Sequence, residues 1–186
     1  ARRRERPDAR SRCSRATCSI ARAIATRRPD AAPGVTRIDF YLLPVGEPHG
    51  KLSFACRLAE KAWRAGHQVY VHGSDAGEAE AFDALLWSFR DTSFVPHRLL
   101  GAAGGEPSPV EVGSGEAAAD HHDVMINLSA EVPPLFSRFE RVAEIVLNDP
   151  DALAASRRRW SFYKDRGYQL QHHDMQHLRS TGDRDD

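Results

Sequence analysis

The sequence predicts a single three-layer α/β domain, Rossmann-like, with a mostly parallel sheet covered by helices on both faces. The main observation is rhythm: short runs of branched and aromatic residues alternate with helical patterns of about ten to fifteen residues, as βαβ units do. Punctuation is the second, since Gly66 and Gly167 each stand directly after a helical pattern, where a left-handed residue ends a helix. Size is the third. A chain of 186 residues, 41% of them hydrophobic, with no internal repeat, suits one domain of roughly 150 residues.

Residues 1–35 stand outside this rhythm. They hold ten arginines against three acids and little apolar content, and read as a disordered basic arm. The folded pattern begins abruptly at Val35, and valine is encoded by an alternative bacterial start codon. The arm therefore has a second reading, an upstream extension from a mis-called start. The predicted domain spans 36–170. It opens with a strand over 38–43, rich in aromatic and branched side chains. A helix over 52–65 follows, with Leu52, Ala55, Cys56, Ala59, Ala62 and Trp63 at helical spacing. Residues 68–72 form the second strand. A second helix over 76–89 keeps Ala79, Phe82, Leu85, Leu86 and Phe89 on its apolar side. After a Gly- and Pro-rich loop over 101–109 come strands at 110–112, 123–128 and 141–147. Asp149 or Asp151 caps the last helix, which runs to about residue 166. Residues 171–186 read as a polar C-terminal tail.

The balanced total charge conceals an asymmetry. Without the arm, residues 36–186 carry 16 basic and 23 acidic side chains. An acidic body argues against broad binding to a phosphate backbone, which needs a basic face. Cys13, Cys18 and Cys56 make an odd count without paired metal spacing, which suits a reducing, cytoplasmic compartment. No apolar stretch approaches 18 residues, so no membrane partner is expected.

Catalytic chemistry finds little support. The loop after the first strand holds Gly46, Gly50 and Lys51, but a phosphate cradle needs four residues between its glycines and Ser or Thr after the lysine. Here three intervene and Leu52 follows. The dinucleotide fingerprint GxGxxG is absent. His121 and His122 form one histidine group, and His172, His173 and His177 another; His173 and His177 share a helical spacing for weak metal binding, but solvated tail is the simpler reading. His97 has no nucleophile elbow to serve. Asp39, Asp75 and Asp123 sit at strand ends with no spacing that pairs them. No cofactor and no metal is expected.

Two segments differ in kind. The run Arg157-Arg158-Arg159-Trp160-Ser161-Phe162-Tyr163-Lys164 puts three guanidinium groups and three aromatic rings on about two helical turns, and Arg157, Trp160 and Lys164 can share one stripe. Cations beside rings suit an acidic peptide ending in an aromatic residue and a free carboxylate. The same pattern also reads as buried rings with a solvated basic face. In residues 87–97, Trp87 and Phe94 flank a polar turn at the end of the second helix. They read either as core or as a pocket for an aromatic terminus.

In order and spacing, several segments resemble the chi subunit of bacterial DNA polymerase III holoenzyme. They are Asp39 to Leu43, Ala59 to Gly66, Asp83 to Trp87 with Ser93 to His97, Pro109 to Val112, Asp123 to Leu128 and Arg157 to Tyr168. The resemblance covers about residues 36–170. It implies a non-catalytic replication subunit that joins the psi subunit of the clamp loader to the acidic C-terminal tail of single-stranded DNA-binding protein, touching DNA only indirectly. It further implies tail contacts at Trp87, Phe94, Arg157 and Trp160. The basic positions of the family pattern are Ser161 and Leu153 here, for which Arg158, Arg159 or Lys164 would compensate. Two alternatives from other classes remain: a direct single-stranded nucleic-acid binder acting through the arm, and a nucleotide-binding α/β enzyme.

Overall fold

A computed structural model describes residues 36–45, 50–89, 94–101, 106–115 and 123–175. Both readings of residues 1–35 lie outside this set. Among the described residues, one sheet has the order β3-β4-β2-β5-β6-β1-β7 and every strand pair is parallel. The strands are β1 (Arg37–Leu43), β2 (Val69–His72), β3 (His97–Leu99), β4 (Val110–Gly113), β5 (Val124–Asn127), β6 (Arg141–Leu147) and β7 (Gln169–Asp174). Three α-helices connect them: α1 (Gly50–Arg64), α2 (Ala76–Ser88) and α3 (Pro150–Asp165). A short 3-10 turn, Phe136–Arg138, precedes β6.

The two-residue period of the strands divides the core. On one face Tyr41, Leu43, Val71, Val112, Ile126 and Ile145 pack under α1 and α2, which contribute Phe54, Leu58, Phe82 and Leu86. On the other, Ile38, Phe40, Tyr70, Met125, Val142 and Val146 meet Tyr163 of α3, with Phe136 and Phe139. The layers are therefore α1 and α2, sheet, then α3.

Local chemistry sets the helix ends. Asp75 caps α2 by accepting from the Glu78 amide at 2.8 Å, and the Glu78 carboxylate returns to the Ser74 amide at 2.8 Å. Asp149, not Asp151, caps α3, accepting from the Ala152 amide at 2.9 Å, with Pro150 at the first helical position. Gly167, at φ 79°, lets the chain leave α3. Its amide donates to the Lys164 carbonyl and that of Tyr168 to the Tyr163 carbonyl, the paired bonds of a Schellman end.

The folded chain extends past residue 170. β7 takes in residues 171–174, which the sequence assigned to a polar tail, and pairs along β1. Its sequence, QLQHHD, is polar because it is a largely exposed edge strand. β3 also escaped prediction, being three residues long and half-buried.

Candidate functional groove and a separate aromatic patch

Helix α3 packs across β6 and β7, with β1 between them. Leu153, Ser156, Arg157 and Trp160 recur at intervals of three and four and so share one stripe. Together with Phe40 and Leu42 of β1, Val146 of β6 and His172 of β7 they enclose a cavity of about 380 Å³. The Trp160 ring is half-buried, 5.1 Å from that of Phe40 and inclined by 55°. Arg157 is exposed at the rim. The Ser156 hydroxyl is turned inward to the Leu153 carbonyl at 3.0 Å. The result is an apolar floor beside a fixed positive charge, which suits a ligand that is aromatic or aliphatic at one end and anionic at the other.

Arg159 does not belong to this groove. It is 4% exposed and points under the helix, where its Nε donates to Glu144 at 3.0 Å and its Nη1 to the Ala130 carbonyl at 2.6 Å. The same carboxylate accepts from the Tyr163 hydroxyl at 2.7 Å and from the Asn127 amide at 2.9 Å. Burial pushes the Glu144 carboxyl up, against the pull of Arg159 and these two donors. Burial and then Glu144 raise the Tyr163 phenol as well. This network fixes the rotation of α3 and so turns Arg157 and Trp160 toward the cavity. Arg158 is exposed. Lys164 is exposed one turn beyond Trp160, on the same stripe but outside the cavity. Leu153, at a position that is basic in the family pattern, contributes apolar wall.

Trp87 and Phe94 lie elsewhere. Trp87 lies in the last turn of α2, which packs on the opposite face of the sheet against β3 and β4. That is the far end of the strand order from β1 and β7. The two side chains are 61% and 62% exposed, so neither is core. Their ring centroids are 5.5 Å apart, and Trp87 also covers His97 at 4.8 Å. His97 is held by Nδ1 donating to the Val95 carbonyl at 2.8 Å, and its Nε2 faces Asp83 at 3.4 Å. The four aromatic and arginine positions expected to line one tail groove are thus divided. Arg157 and Trp160 share a cavity, while Trp87 and Phe94 form a projecting patch on the other side of the sheet. Sequence reasoning missed Phe40, Leu42, Val146 and His172 as groove residues. The i, i+2 alternation in β1 was the signal for the first two.

The remaining candidates have structural occupations. Lys51, the would-be phosphate lysine, donates to Glu78 at 2.7 Å and to the Leu128 carbonyl. Asp75 is a helix cap, and Asp123 accepts from the Gln68 amide at 2.8 Å. Asp39 is fully buried among Arg37, Arg141 and His173. Burial would raise its carboxyl, but His173 and the two guanidinium groups together hold it below the usual aspartate value. His173 stacks on Tyr41 with 4.8 Å between centroids, and its Nε2 lies 3.2 Å from Asp39. His121, His122 and His177 lie outside the described residues. Burial pushes the Cys56 thiol up to about 12 inside α1. Among the described residues no helix is long and apolar enough to cross a membrane.

Residues 35–171 match the family model described as DNA polymerase III chi subunit. The chain is 45% identical over 139 residues to a DNA polymerase III subunit chi of Pseudomonas aeruginosa, covering 75% of this chain and 96% of that protein. It is 30% identical over 132 residues to the subunit chi of Haemophilus influenzae, covering 70% and 92% respectively. A fold likeness extends to the crystal structure of T4 UvsW, with TM-score 0.52 and 10% identity over 75% of this chain and 42% of that one. At that identity the likeness speaks to the fold alone.

Proposed function

The chain belongs to the DNA polymerase III chi subunit family, and on that premise we propose that it is a non-catalytic bridge between the psi subunit of the clamp loader and the acidic C-terminal tail of single-stranded DNA-binding protein. The carrying observation is the cavity under α3, apolar within and bearing Arg157 at its mouth. A terminal aromatic side chain fills the space over Phe40 and Trp160, and the guanidinium takes a carboxylate in a forked, charge-assisted contact. The acidic character of the body keeps the protein from bare DNA, so contact with the template is indirect. Several tails displayed on one coated strand raise the effective concentration and let a weak single contact serve.

A bridge needs two surfaces, and Trp87 with Phe94 supplies the second. Two large exposed rings beside a short edge strand suit burial against an apolar partner element. We assign this patch to psi and remove it from the tail groove. Calorimetric titration with an acidic peptide ending in Phe tests the reading. Arg157→Ala should cost about 2 kcal/mol of binding with the fold intact. Unchanged affinity in that variant would overturn the groove assignment.

A further inference from the structure

We propose that His172 is a second recognition residue of this groove, donating to one oxygen of the peptide's terminal carboxylate while Arg157 takes the other, so that binding tightens in mild acid. The inference rests on the tail reading above and adds to it a residue and a pH dependence.

Register puts His172 there. It is paired with Phe40, whose ring floors the cavity, and from β7 it lines the same cavity as Arg157 of α3. The remaining polar wall residue, Ser156, has its hydroxyl bonded to the Leu153 carbonyl. Among the described residues neither Arg157 nor His172 has a hydrogen bond or ion pair, so both side chains keep their donors for a ligand. The neighbouring histidine shows the contrast. One residue along β7 the side chain points to the other face, where His173 bonds to Asp39 at 3.2 Å and stacks on Tyr41. His173 is structural; His172 faces the cavity.

The charges around His172 are few. From α3, Arg157 lines the same cavity, and Arg158, next to it in sequence, is exposed. β1 presents only Phe40 and Leu42, and β6 presents Val146. Glu144 is directed beneath α3 to Arg159 and Tyr163. On β7 itself Asp174 lies two residues on and has an interaction of its own. Histidine ordinarily changes charge between pH 5 and 8, whereas the carboxylates of a bound peptide stay ionised throughout that range. The side chain's own contribution is therefore read by comparing the pH 6 to 8 profile of wild type with those of variants at residue 172.

The test is calorimetric titration of the full chain with an acidic peptide ending in Phe with a free carboxylate, at pH 6 and pH 8, for wild type, His172→Ala, His172→Gln and Arg157→Ala. Wild type should bind about fivefold more tightly at pH 6 than at pH 8, and both His172 variants should flatten that difference while melting like wild type. Arg157→Ala should lose affinity at both pH values and keep part of the slope. A His172→Ala variant with the wild-type pH profile overturns this inference and leaves the groove standing, provided Arg157→Ala still weakens binding. Absence of binding by wild type at either pH overturns both.

Discussion

On the α3 face, Trp160 lies down against Phe40 and leaves a concave, charge-rimmed cavity; on the α2 face, Trp87 and Phe94 stand out from the edge of the sheet with most of their surface in water. The groove is positioned by a buried network in which Glu144 accepts from Arg159, Tyr163 and Asn127. The patch rests on little beyond His97 and the apolar side of α2. The difference teaches that arginine and aromatic residues of similar appearance divide into three duties. Arg157 presents charge, Arg159 holds the helix that presents it, and the rings of Trp87 and Phe94 offer area without charge.

The largest effect should come from breaking the support of the groove. Arg159→Ala leaves Glu144 buried without its cation and should cost about 3–5 kcal/mol of folding free energy by denaturant titration. A loss below about 1 kcal/mol would mean that the network does not hold α3. At the patch, Trp87→Ala should change stability by no more than about 0.5 kcal/mol, because the ring is already exposed, and should leave affinity for the tail peptide unaltered. If Trp87→Ala removes peptide binding, the two surfaces are one and the separation fails.

Acid sharpens the comparison from a third position. The folded-state value of Asp39 is depressed, so this carboxylate adds stability that is fully present above its unfolded pKa, near 4, and is lost as pH falls through the lower folded value. Asp39→Asn should flatten the acid side of the stability profile relative to wild type; an identical slope would show that the cluster with Arg37, Arg141 and His173 contributes nothing. Salt gives the smallest effect. Tail binding at the exposed guanidinium should weaken severalfold between 0.05 and 0.5 M salt as the Debye length falls below about 10 Å, while the association at Trp87 and Phe94 should hardly move.

The fold was legible wherever burial imposed a period. β1, β6 and the three helices announced themselves because their apolar residues face a core at spacing two or three and four. β7 did not, since an edge strand open to solvent needs no hydrophobic alternation, and His172 was consequently read as solvated tail. Arg157 and Trp160 were legible as neighbours because helical spacing is local. Their separation from Trp87 and Phe94 was not, because it depends on strand order and on which face each connecting helix takes. Arg159 illustrates the same limit. Its neighbours in sequence are exposed arginines, and only the carboxylate of Glu144 on β6 shows that it is buried.

The claim that two partners occupy separate surfaces is tested most directly by titrating the acidic tail peptide into the chain alone and into the chain saturated with psi. The account expects the same affinity within about twofold in both titrations, with all three components in one complex. Exclusion of the peptide by psi, or loss of psi binding in Arg157→Ala with Trp87 and Phe94 intact, would contradict it.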